Sequence, residues 1–320
     1  MTAEQHQAPR LPVWIALGGA VLVGILTAVQ ARVNGVLGAR LDDGFVAAAV
    51  SFGSGMLILV VLSAVLPVGR RGFATLAAGI RMRTIPWWML AGGAAGALTV
   101  ATQGLAVAII GVSLFTVGVV AGQTVNGLVL DRIGYGPAGV VAVTVPRVLG
   151  GVLALGAVAL ALVGDGARGV PLWMLVLPFF AGVGIAWQQA TNGRLRQRVG
   201  TPLTATLVNF IGGTVLLVGA AAVHVGIVGM PEAFPTEPWV YLGGATGVVY
   251  IFLSAALVAQ TGVLLLGLGA VVGQLLTSVL LDALWPAAAS PGILQESLMV
   301  SVALASVLVA AAPWGRLMRR

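Results

Sequence analysis

The side chains able to do chemistry in this sequence are mostly amides embedded in long uncharged runs. Gln30 and Asn34 are four residues apart, and Gln188 and Asn192 repeat that spacing, so each pair shares one helix face. Gln123 and Gln274 each follow a glycine, and Gln103, Asn126, Gln189 and Trp187 occupy similarly apolar surroundings. An amide both donates and accepts hydrogen bonds, so it can hold a polar ligand inside hydrocarbon without burying a charge. Gln123, Gln274, Gln103, Asn126, Gln189 and Trp187 are therefore candidate substrate contacts, and Gln30, Asn34, Gln188 and Asn192 candidate gates. The same amides could instead tie helices together or cap their ends, since Asn-Gly is also a helix-stop signal.

Charged candidates are few. Asp131 and Asp282 end two predicted helices, and Arg147 follows Pro146 at the start of another. An Asp131–Arg147 ion pair would leave Asp282 without an equivalent partner, either facing water or carrying a coupling proton. No phosphate-binding glycine loop, nucleophile elbow or HExxH metal motif occurs, and there is no cysteine. The chemistry expected is recognition rather than catalysis, with no cofactor and no metal.

The elements that position these groups must be membrane helices. Apolar residues make up 59% of the 320-residue chain and charged residues 8%, more hydrocarbon than a water-soluble fold can hide. The uncharged runs 11–31, 44–69, 84–130, 169–193, 238–281 and 297–315 are each long enough for at least one helical crossing of ~20 residues, and unbroken runs are not the alternating pattern of a barrel. The expected architecture is an all-α integral membrane protein of ten helices: 12–34, 44–66, 87–108, 112–131, 141–163, 171–191, 203–226, 239–259, 262–282 and 297–315. All sixteen basic residues are arginine. In a membrane chain that excess reads as a topology signal, not as nucleic-acid binding. Arg10, Arg70, Arg71, Arg81, Arg83, Arg132, Arg194, Arg196, Arg198, Arg316, Arg319 and Arg320 fall on the side of both termini, against Arg32, Arg40 and Arg168 opposite. Both termini are therefore expected in the cytoplasm.

Residues 28–56 return at 186–214, with Gln30 on Gln188, Asn34-Gly35 on Asn192-Gly193, Arg40 on Arg198 and Phe52 on Phe210. GGAAG at 92–96 returns as GGATG at 243–247, and GQTVNGLVLD ending at Asp131 as GQLLTSVLLD ending at Asp282. The chain is thus read as a duplication, residues 1–165 and 166–320, meeting near 164–169. Five crossings is an odd number, so the second copy should enter the bilayer from the opposite face, the inverted repeat of many secondary transporters.

The segments QARVNGVLGARL and AAAVSFGSG, with their second copy QQATNGRLRQRVGTPLTATLVNFIGGT, resemble the repeated signature of the YdcZ-like transporters, a branch of the drug/metabolite transporter superfamily. GQTVNGLVLDRIG, with Arg147 and Gly150-Gly151 beyond it, is similar to that family's continuation. The resemblance implies a ten-helix inner-membrane protein fused from two five-helix units, exporting a small polar or amphipathic molecule. The second copy departs from the pattern after Asp282, where it has no counterpart of Arg147. The lack of a mid-helix carboxylate favours uncharged or zwitterionic substrates. The partners expected are that substrate, the bilayer and a coupling proton or ion, and a homodimer is compatible with the sequence. The competing readings are a membrane partner that transports nothing and an intramembrane lipid-modifying enzyme, for which the spans offer no clustered acids, His or Ser/Lys pair.

Overall fold

The computed structural model describes residues 12–137, 139–140, 142–163, 170–286 and 292–311. Arg10, Arg168, Arg316, Arg319, Arg320, the expected boundary at 164–169 and residues 312–315 of the tenth expected helix lie outside the described residues. The helices are α1 (Val13–Leu41), α2 (Gly44–Val65), α3 (Pro67–Arg81), α4 (Gly92–Arg132), α5 (Val145–Val163), α6 (Leu172–Val199), α7 (Pro202–Val228), α8 (Gly243–Leu284) and α9 (Ile293–Ala311). Single 3-10 turns, Trp87–Leu90 and Pro238–Tyr241, lead into α4 and α8. No strand occurs among the described residues. Long apolar helices in this number make a multi-pass membrane protein.

At ~1.5 Å per residue, the 41 residues of α4 and 42 of α8 are each about twice the hydrocarbon thickness, so neither makes a single crossing. In α4 the chain reverses at Gly111, whose φ of 81° and ψ of 165° are open only to glycine. Gly104 then meets Gly44 at one end of the bundle, while Gly92 and Gly134 lie beside Asn192 and Arg194 at the other. α8 also doubles back: Gly243 starts beside Asn34, Val258 reaches Gly193, and Asp282 returns to the Gly111 turn. The expected paired crossings are therefore present.

Sequence expectation and structure differ at three places. Asn34-Gly35 and Asn192-Gly193 do not stop their helices, and α1 runs on to Leu41 and α6 to Val199. The glycines serve close packing instead: a Cβ on Gly35 would stand 2.8 Å from Val107, and one on Gly193 2.7 Å from Val258. The true stops are Asp42 (φ 52°) and Gly200 (φ 79°), both left-handed. The arginine-rich segment after α2, expected as a loop, is the helix α3. Pro67 sets its first turn, Gly69, Gly72, Leu76 and Gly79 form its buried face, and Arg70, Arg71 and Arg81 stay exposed. Charge had masked the helical period there.

The most extensive helix contacts are α1 on α8, α4 on α6 and α5 on α9, followed about equally by α1 on α4 and α2 on α7. All of these but α1 on α4 join an element from residues 1–165 to one from 166–320. Where α1 crosses α8, Gly24 faces the backbone at Ala270 and Gln274; where α6 crosses α4, Gly182 faces the backbone at Val119 and Gln123. Any side chain at either glycine would collide with a carbonyl, so these crossings are backbone-to-backbone. Between α2 and α7, the rings of Phe52 and Phe210 stack with centroids 4.7 Å apart. Both are fully buried, and offset aromatic pairs contribute ~1 kcal/mol beyond their burial.

Candidate functional site

At one end of the bundle, Gln30 on α1 donates from Nε2 to the Gly243 carbonyl at 2.8 Å, and Asn34 donates from Nδ2 to Gln103 Oε1 at 2.7 Å. The Gln30 amide also packs on Gly247 and the Asn34 amide on Gly243. At the other end, Gln188 and Asn192 on α6 both donate to Asn209 Oδ1, at 2.9 and 3.0 Å, while packing on Gly96 and Gly92. Equivalent amides of each half thus grip equivalent glycines of the other, because only glycine lets an amide sit flat on the helix start. All four amides are buried, and both clasps are engaged together.

The candidate substrate contacts are not gathered in one place. Gln103 belongs to the first clasp. Asn126 donates to the Val183 carbonyl at 2.7 Å and fastens α4 to α6. Trp187 packs with Tyr135 against Leu130, Ala190 and Val258 near the second clasp, and Gln189 is buried beside it. Gln123 and Gln274 do occupy matching places, at the α4–α6 and α1–α8 crossings. Their Oε1 atoms are both buried without a hydrogen-bond partner among the described residues. A buried amide oxygen left unpaired costs ~1–3 kcal/mol, so both mark places where a polar guest would be favoured.

Asp131 and Arg147 form the expected buried ion pair, with Arg147 also donating to the Ala142 carbonyl at 2.9 Å. Asp282, expected to lack a partner, accepts from the backbone N–H groups of Val112 at 2.9 Å and Ser113 at 2.6 Å. It caps the helix that restarts after Gly111, where exposed amide dipoles stabilise a negative charge. Two site residues escaped the sequence reading. Asn209 knits the second clasp, and its counterpart Ser51, packed on Gly243, is also polar within an apolar run; that coincidence was the available signal. Glu296, buried in the first turn of α9, lies within electrostatic range of Asp282. Its place ahead of the expected start of that helix hid it.

Beside the first clasp a cleft of about 590 Å³ opens between α1 and the ends of α8, lined by Val29, Arg32, Val33, Val36, Arg40, Trp239, Leu281 and Trp285. At its mouth Arg40 meets Glu237 at 2.5 Å and lies 5.6 Å from the Trp239 ring centroid. The Glu237 carboxyl is held below its usual range, first by its own backbone N–H and then by Arg40. The matching place at the other end is filled. Tyr135 Oη is 2.9 Å from Thr191 Oγ1, Arg194 donates to the Gly134 carbonyl at 2.8 Å, and the Arg194 guanidinium stands 5.0 Å from the Tyr135 ring and 5.7 Å from that of Trp88. His224, without an acid at ligand spacing in the sequence, meets Asp43 across the fold at 3.0 Å. Among the described residues no cluster of three acids or histidines forms a metal site.

Residues 6–160 and 173–312 match the family model DMT_YdcZ, described as "Putative inner membrane exporter, YdcZ". No curated protein matches the chain. A solved crystal structure shares the fold, with a TM-score of 0.57 and 17% identity over 95% of this chain and 97% of that one. Two matched regions, one in each half and together spanning nearly the whole sequence, place the chain in the YdcZ-like family of the drug/metabolite transporter superfamily, a family of inner-membrane transport proteins.

Proposed function

We propose that this chain is a secondary exporter working by alternating access, with residues 1–165 and 166–320 forming an inverted repeat around a shared path. The observation that carries this is the crossed clasp. Gln30 and Asn34 grip Gly243 and Gly247 of the second half, and Gln188 and Asn192 grip Gly92 and Gly96 of the first. Two halves inserted in opposite senses produce that exchange, and it puts Arg40 and Arg198 at opposite ends: Arg40 beside Glu237, Arg198 beside the α3 residues Ala74, Thr75 and Ala78. The arginine excess at the Arg198 end supports a cytoplasmic placement of that end.

In this reading the four amides named as gates are latches, and a change of state loosens one set while the other holds. With both sets engaged, the arrangement corresponds to an occluded state, in which the Arg40 cleft is an outer vestibule and the Tyr135 end is sealed. Gln123 and Gln274 offer their unpaired carbonyls to a guest in transit. Flux from proteoliposomes, measured across a metabolite panel with and without a pH gradient, tests the proposal; absence of saturable flux in both conditions would defeat it. One observation favours a second reading as a non-transporting membrane partner: Val271 and Leu275, which neighbour Gln274 along α8, are buried in the apolar core. The same flux measurement separates the two.

A further inference from the structure

We infer that the cleft beside α1 binds a small organic anion with an apolar or aromatic body, its carboxylate or phosphate docking on Arg32. The inference names the substrate class of the exporter proposed above and rests on that reading, and it departs from the uncharged substrates expected from sequence. Arg32 lies about two helical turns below Arg40, inside the span, half-buried against aliphatic side chains. A guanidinium at such a depth is costly and is ordinarily paired. Among the described residues it makes no hydrogen bond. The acid whose charge it feels, Asp282, has both carboxylate oxygens committed to Val112 and Ser113. Glu296 is buried within electrostatic range of Asp282, and of these three groups only Arg32 lines the cleft.

The planar fork of donors on Arg32 is therefore unspent, and it matches a carboxylate or phosphate in two parallel hydrogen bonds. The rest of the cleft says what the anion carries. Trp239, Trp285, Leu281 and Val36 offer stacking and apolar contact, and a volume of about 590 Å³ is that of a small-molecule site. Arg40, tethered by Glu237 at the mouth, adds attraction at the entrance without filling the interior. The position is not a by-product of the duplication, because Arg32 corresponds to Ala190 and Trp285 to Gly134.

The test uses the full chain in phosphatidylcholine nanodiscs and equilibrium dialysis of radiolabelled 3-phenylpropionate against its neutral isostere 3-phenylpropionamide. The expected result is saturable binding of the acid at least tenfold tighter than of the amide. Arg32→Gln should erase that preference, Arg32→Lys should keep part of it, and Trp285→Ala should weaken acid and amide alike. An unchanged thermal melt of each variant excludes unfolding as the cause. No saturable binding of the acid, equal binding of the amide, or an Arg32→Gln variant that still prefers the acid would overturn the inference. So would loss of acid binding when phosphatidylglycerol replaces part of the phosphatidylcholine, which would make the cleft a lipid-headgroup site. Binding is read without a gradient, so a failure of transport leaves this result standing, and the converse holds.

Discussion

The two ends of the bundle are built on the same positions and finished differently. At one, Arg40, Trp239 and Trp285 border a cleft with Arg32 in its wall; at the other, Arg198, Trp88 and Gly134 stand in the corresponding places and Tyr135 closes the space through Thr191 and Arg194. The helix-end acids diverge in the same way. Asp131 neutralises a buried arginine, whereas Asp282 caps a half-helix through two backbone amides. The two ends therefore share glycine crossings and differ in single side chains, which leave a cleft at one end and fill the corresponding space at the other.

If the scaffold is common to both ends, damage to it should be symmetric. Gly24→Leu and Gly182→Leu each drive a side chain into a carbonyl across a helix crossing, and both should abolish recovery of monodisperse protein after detergent extraction. One tolerated and one lethal substitution would break the comparison at its root. Next in size, Asp131→Asn strands Arg147 in the interior and should cost about 3–5 kcal/mol, against ~1–2 kcal/mol for Asp282→Asn, which keeps one acceptor for the restarted helix and loses the other together with the charge that Arg32 feels. Thermal melts that rank the two variants in the opposite order would contradict the assigned roles.

The sealed end offers a sharper test. In this cysteine-free background, Tyr135→Ala should raise maleimide labelling of Ala190→Cys at least tenfold, while Tyr135→Phe, which loses the hydrogen bond to Thr191 of ~1 kcal/mol, should raise it about fivefold. Labelling that ignores Tyr135 would mean that something else closes this end. The smallest effect belongs to Glu237. Its carboxyl titrates below the usual range, so its bond to Arg40 is present at neutral pH and lost as pH falls through that lowered value. A spin label at Pro238→Cys should gain mobility only in acid, and Glu237→Gln should show that mobility already at neutral pH.

The helical class, the paired crossings at Gly111 and the Asp131–Arg147 pair were legible in the sequence because each rests on local chemistry: unbroken apolar runs, a glycine joint, and the rarity of buried charge. Gln30, Asn34, Gln188 and Asn192 were visible as candidates because a repeated polar residue is conspicuous in an apolar chain. Their partners were not. Nothing local announces that Gln30 meets Gly243, or that Asp282 reaches back to Val112, since such contacts follow from how distant helices cross. The extension of α1 and α6 past Asn-Gly has the same origin, because close packing outweighs the local stop signal. Arg32 was read only as a vote on orientation; its lack of a partner became apparent once Asp282 was seen to be occupied.

The fused crossings at Gly24 and Gly182 bear on how such a chain can be divided. Cut after α5, neither piece would own a complete rod: α1 would wait for α8, and α6 for α4. Two separate polypeptides could complete these crossings only by assembling with each other in the bilayer.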